Sequence, residues 1–192
     1  MPVKILVFPG SLRSGSYNVR LAALAVKELT LADAEVTRIS LADYPLPIYD
    51  ADFAARSGPP ANALKLKQLV GAHPGVFIAS PEYNASVTPL LKNAIDWIST
   101  VRESGEAQLA VFQNRVFAIG GASPGRSGAL NSLLTLRQVL AIGCRALVVA
   151  EQVSIPNAAQ AFDEMGELTD ARAAAQLKTV VKKLIAYVQM HG

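Results

Sequence analysis

Apolar residues along this chain fall into two alternating rhythms. Val3 to Phe8 and Gly75 to Ala79 are short runs, apolar but for Lys4 and Gly75, and longer stretches follow in which apolar positions recur every three or four residues. A run of that length suits a strand buried on both faces, as the central strands of a parallel sheet are. Residues 17–31 place Val19, Ala22, Val26 and Leu29 on one stripe and predict a helix. The same period predicts helices over 60–72, 88–100, 127–142 and about 169–190, and Thr88-Pro89 is a good helix start. Further strands are expected at Glu35 to Ser40, Arg115 to Gly120 and Arg145 to Ala150. Strand and helix alternate throughout. The order predicts an α/β fold, a doubly wound five-stranded parallel sheet with helices on both faces, formed as one domain over residues 1–192. Two connections are long, 41–59 and 101–114, and loops of such length inside a compact domain are often functional.

Composition narrows the classes. With 51% hydrophobic and 6% aromatic residues, Ala, Leu and Val must supply most of the core. The 18 basic and 15 acidic residues leave a net charge of +3, and the nearest thing to a basic cluster is Lys182-Lys183, which argues against nucleic acid as a partner. Cys144 is the single cysteine and reads as core filler; His73 and His191 lack the spacing of a metal site. No apolar run reaches the ~18–20 residues of a membrane helix, and the first strand begins at once without a signal peptide, so a cytoplasmic protein without membrane contact is expected.

In such a fold ligands bind beyond the carboxyl ends of the strands, which directs attention to the loops after the first, third and fourth. The first reads Gly10-Ser11-Leu12-Arg13-Ser14-Gly15-Ser16-Tyr17-Asn18. A helix N-terminus presents backbone N–H groups to an anion; Ser11, Ser14, Ser16 and Asn18 can add donors, and Arg13 adds a planar fork of charge. The loop has neither G-x-x-x-x-G-K-[ST] nor G-x-G-x-x-G nor G-x-S-x-G, so a compact terminal phosphate such as that of a mononucleotide is the expected guest.

After the third strand comes Ser80-Pro81-Glu82-Tyr83-Asn84-Ala85-Ser86, then Leu91-Lys92-Asn93-Ala94-Ile95-Asp96-Trp97. The G-S-x-R-x-x-S-x-N loop followed by P-E-Y-N and L-K-N-A-I-D-W resembles the NADPH-dependent FMN reductase family, which includes quinone, azo-dye and chromate reductases. The resemblance implies a flavodoxin-like fold, FMN as cofactor, NADPH or NADH as co-substrate, a small-molecule acceptor and ping-pong hydride transfer. It implies that Ser11, Arg13, Ser16, Tyr17 and Asn18 hold the cofactor's phosphate end, that Pro81, Glu82, Tyr83, Asn84 and Ser86 line the flavin, and that Ser123, Pro124 and Gly125 meet its pyrimidine edge. The flavin's own atoms carry the chemistry, so no catalytic side chain is expected. A turn at Glu82 to Asn84 can offer backbone N–H groups, and Tyr83 can border the ring. The helix start after Gly125 would favour the reduced, negatively charged flavin.

The family also implies a homodimer or homotetramer paired through the 88–100 helix, with Leu91, Ile95 and Ile98 on the sheet and Asn93, Asp96 and Trp97 left for another surface. The chain departs from the common S-P-G-x-x-G-G-x-R-A-Q pattern: Ala129 replaces the second Gly, Asn131 the Arg and Leu133 the Gln, while Arg137 is kept. The missing Arg and Gln are side chains that can carry polar contacts between subunits. An electron carrier of flavodoxin type is the alternative; the slight positive charge and Arg13 favour a reductase.

Overall fold

The computed structural model describes residues 2–191, so Met1 and Gly192, the ends of the expected 1–192 unit, lie outside the described residues. Its strands are β1 (Lys4–Pro9), β2 (Glu35–Arg38), β3 (Gly75–Ala79), β4 (Val116–Ala122) and β5 (Leu147–Ile155), all parallel, in the order β2-β1-β3-β4-β5. The expected flavodoxin-like doubly wound sheet is therefore present. β3 and β4 are buried at every position, as unbroken apolar runs require, whereas the edge strands β2 and β5 are only half-buried.

Helices cover both faces. On one, α1 (Tyr17–Leu31) and α7 (Ala171–His191) pack Leu21, Ala25, Leu177, Val181 and Leu184 against Ile5, Val7, Phe77 and Ala118. On the other, α3 (Ala61–Ala72), α4 (Pro89–Thr100) and α6 (Leu130–Gln138, continued by a π-helical turn to Gly143) pack Leu66, Ile95, Ile98, Leu133 and Leu136 against Leu6, Val76, Ile78 and Ile119. Cys144 is buried in this second layer, and burial pushes its thiol pKa up to about 11, which leaves it inert as a nucleophile. No helix among the described residues is long and apolar enough to cross a membrane.

The structure alters the sequence reading in three places. Residues 41–59 are no open loop: a 3₁₀ turn (Leu41–Asp43) leads to helix α2 (Ala51–Ser57), and α5 (Ala110–Gln113) lies within 101–114. α2 buries no residue and so has no apolar stripe to reveal it. β5 runs on to Ile155 instead of stopping at Ala150, because an edge strand tolerates polar Gln152 and Ser154. Its pairing with β4 slips between Phe117 and Ile119, and Arg137 donates to the carbonyls of Val149 (2.8 Å) and Ala150 (3.2 Å) there.

The third change concerns α4. Asn93 and Trp97 do not remain for another subunit. Trp97 is fully buried against Tyr49 and Phe53, its Nε1 donates to the Pro47 carbonyl at 2.7 Å, and Asn93 holds both the Tyr49 N–H and the Pro47 carbonyl. Together they strap the 44–58 segment onto their own chain. Asp96 pairs with Lys92 one turn back on the same helix.

Candidate functional site

The loops after β1, β3 and β4 meet at the carboxyl ends of the strands and enclose a cleft of about 310 Å³ lined by Ser11, Arg13, Ser16, Tyr17, Asn18, Pro81, Glu82, Tyr83, Ala122, Ser123 and Pro124. A recess of about 410 Å³ lies at the opposite end of the sheet, beside Pro74, Arg115 and Leu147. Its arginine is bound to the carbonyls that end α3, Val70 and Gly71, and the amino ends of strands are not where this fold class takes ligands. The cleft is the candidate functional site.

At one end of it, Ser16 caps α1: its Oγ accepts from the Asn18 N–H at 3.3 Å, and the Ser11 Oγ accepts from the Arg13 N–H at 3.3 Å. Gly15 turns the chain with φ +68°, a conformation that other residues enter only with strain. Among the described residues the Gly15 and Tyr17 N–H groups have no partner, so the helix start keeps free donors for an anion. Arg13 stands exposed at this rim with its guanidinium 5.5 Å from the centre of the Tyr17 ring.

Asn18 plays a different part from the one expected. Its side chain is 3% exposed; Nδ2 donates to the Ala122 carbonyl at 2.8 Å and Oδ1 accepts from the Ala122 N–H at 2.9 Å. Both ends of the amide are engaged, so Asn18 joins the first loop to the end of β4. Thr88 makes the second join: its Oγ1 donates to the Gly10 carbonyl at 2.7 Å and accepts from Leu91 N–H as the cap of α4.

At the other end of the cleft, Tyr83 and Ser86 exchange backbone hydrogen bonds of 3.0 Å across Asn84 (φ +48°) and Ala85 (φ +57°), a two-residue turn of the left-handed kind. The turn centres on Asn84-Ala85 rather than on Glu82 to Asn84, and it takes up the Tyr83 and Ser86 N–H groups. Tyr83 is 50% exposed and leaves one side of the cleft open. Asn84 and Ser86 do not line the cleft; nor does Gly125, whose carbonyl accepts from the N–H groups of Gly128 and Asn157. Their places in the turns account for this: Asn84 is at an apex, and Gly125 is tied inward to the segment after β5.

Behind the turn lies a polar cluster that the sequence reading missed. Ser80 and Ser132 are fully buried, their hydroxyls 2.8 Å apart, and the Ser132 hydroxyl donates to the Pro81 carbonyl at 2.7 Å. Glu82 points the same way. Its carboxylate accepts from the Ser132 N–H at 3.1 Å and, more weakly, from Ser127 and Asn131. A serine amid the apolar inner face of α6 was the available signal.

Ala129, where the family pattern has a glycine, takes a left-handed backbone with φ +69°, and its methyl fits because Gly121 faces it: a Cβ on Gly121 would come within 2.8 Å. Leu133, in place of the family's Gln, is core. Asn131, in place of Arg, meets Glu82 of its own chain.

Residues 3–160 match the family model described as NADPH-dependent FMN reductase. The chain is 35% identical over 188 residues to an NAD(P)H-dependent FMN reductase of Pseudomonas aeruginosa, covering 97% of this chain and 96% of that one. It is 36% identical over 139 residues to a quinone reductase of Escherichia coli, covering 72% and 69%. Among solved structures, a flavoenzyme NAD(P)H:(acceptor) oxidoreductase of Paracoccus denitrificans superposes with a TM-score of 0.73 at 30% identity, over 99% of each chain.

Proposed function

This chain belongs to the NADPH-dependent FMN reductase family, and from that membership we propose that it holds FMN in the cleft, oxidises NADPH or NADH, and reduces a small acceptor such as a quinone. The observation that carries the reading is the cleft's asymmetry. One end is a hydroxyl-lined helix start with unpartnered N–H groups; the other is a braced turn beside a half-exposed tyrosine. A phosphate suits the first and a flat ring the second.

Ser11, Ser16, Arg13 and the start of α1 would hold the phosphate, and Pro81 to Tyr83 with Ala122 to Pro124 would border the ring. Bound FMN supplies two-electron chemistry that no side chain of the cleft can perform. The residues bind, orient and shield. No histidine lines the cleft among the described residues, so protons come from solvent at the open side.

The open side beside Tyr83 supports a ping-pong order in which the nicotinamide leaves before a quinone, free flavin, azo compound or chromate takes its place. Parallel double-reciprocal lines with NADPH and a quinone are expected; intersecting lines reject the order. Absence of FMN binding together with absence of NADPH oxidation rejects the reading as a whole. A pyridine-nucleotide reductant goes with the cytoplasm, where we place the activity.

Pairing into a homodimer or homotetramer belongs to the same proposal. Its support is no longer Trp97 but exposed Leu12, Leu130 and Leu134 on the elements that bound the cleft. Sedimentation at micromolar concentration checks it, and a fully active monomer would reject it.

A further inference from the structure

Glu82 turns its carboxylate onto a helix. Ser132, whose N–H it accepts, is the third residue of α6, and Ser127 and Asn131 donate to its other oxygen. α6 has no capping side chain at Ala129 and no acidic residue in its first turn. The aligned peptide dipoles of a helix start amount to about half a positive charge. Glu82 is therefore the anion of that helix end, half-buried and without a Lys or Arg ion pair among the described residues.

Two consequences follow for a ring in the cleft. The carboxylate fastens the Pro81–Tyr83 wall to α6, which makes Glu82 a positioning residue. It also reverses the local field. A bare helix start near a flavin favours the reduced form, which carries extra negative charge; a full negative charge at the same spot more than offsets the half positive one. Hydrogen bonding alone does not call for a carboxylate here, since a glutamine oxygen can accept the same Ser132 bond. Resting on the reading that FMN occupies the cleft, we propose that the charge of Glu82 lowers the reduction potential of the bound flavin and so makes it a stronger reductant toward the acceptor.

The test compares wild type with Glu82→Gln, Asn131→Asp and Glu35→Gln. Oxidised FMN affinity is read by fluorescence titration, and the two-electron potential by anaerobic equilibration with a reference dye. Glu82→Gln is expected to raise the affinity for reduced over oxidised FMN by about three- to tenfold. That corresponds to roughly 15–30 mV upward at about 30 mV per tenfold for a two-electron couple. Asn131→Asp adds a carboxylate in the first turn of α6 and is expected to move the potential down. Glu35→Gln removes an equal charge at the far end of the sheet, in an exposed pair with Lys4, and is expected to move nothing. Added salt should shrink the Glu82→Gln difference. Equal potentials in wild type and Glu82→Gln overturn the proposal, and so does a shift of equal size in Glu35→Gln. A wild-type protein that binds no FMN overturns instead the reading beneath it, and the titration reports that separately.

Discussion

The loop after β1 and the turn after β3 each lead into the start of a helix, yet they are held in opposite ways. The first closes on itself through contacts two or three residues apart, Ser11 with Arg13, Arg13 with Ser16 and Ser16 with Asn18, and gives its left-handed position to Gly15. The second has one local pair, Tyr83 with Ser86, and forces Asn84 and Ala85 into left-handed backbone. Most of what holds it comes from elsewhere: Ser132 on Pro81, α6 on Glu82, and Thr88 reaching to Gly10. The lesson is that side chains touching a ligand and side chains shaping its site can be different sets, and that the proportion differs between two walls of one cleft.

The strongest way to break this contrast is Asn18→Ala, which cuts the tie of the first loop to the end of β4. It leaves the Ala122 N–H and C=O buried without partners, and a loss of about 2–4 kcal/mol is expected. Urea unfolding checks it; a loss below about 1 kcal/mol would mean the loop does not depend on this tie. Next in size, Arg13→Ala should weaken FMN binding by about 1.5 kcal/mol, roughly tenfold, with the unfolding midpoint unchanged. This figure is the low end for a charge-assisted contact, because Arg13 is exposed and partly engaged by Tyr17.

Ser132→Ala makes the opposite test: a residue that lines nothing should cost about 1 kcal/mol in stability and also weaken FMN binding, because the Pro81 carbonyl loses its shorter bond. The left-handed positions sharpen the comparison further. Gly15→Ala should cost about 1 kcal/mol through backbone strain alone, since nothing lies within 4 Å of the added methyl. Ala85→Gly should gain about 0.5 kcal/mol, the relief of strain being offset in part by a freer unfolded chain. Thermal unfolding of the two variants reads the difference in sign. Smallest of all, Tyr83→Phe should keep NADPH oxidation within about threefold, because Tyr83 borders the cleft by shape and phenylalanine keeps that shape. Tyr83→Gly should lose more in rapid anaerobic mixing, and equal losses in the two variants would assign the role to the hydroxyl.

The same contrast governs what could be read from the sequence. Strands β1 and β3 announce themselves because every neighbour inside the sheet demands an apolar side chain. The first loop is legible because its hydroxyls, glycine and arginine act within a few residues of one another. The partners of Asn18 and Glu82 are 104 and 50 residues away, so their types suggested ligand contacts while their bonds go to the chain itself. Trp97 misled for a related reason: a polar-edged aromatic on a helix reads as a free surface until the strap it holds, from Pro47 to Phe53, is known. α2 gave no signal, since none of its residues is fully buried.

The bond between Asn18 and Ala122 also bears on when the site comes into being. A ribosome adding about 5–20 residues per second needs roughly 5–20 s to cover the 104 residues between them. Over that interval the first loop can exist with its serines in order but with its floor missing. The loop after β4 waits longer still, because Ser123 and Gly125 are fixed by the N–H groups of Ala158 and Asn157. Cofactor capture is thus expected late in biosynthesis, and a nascent chain arrested before residue 158 should not retain FMN.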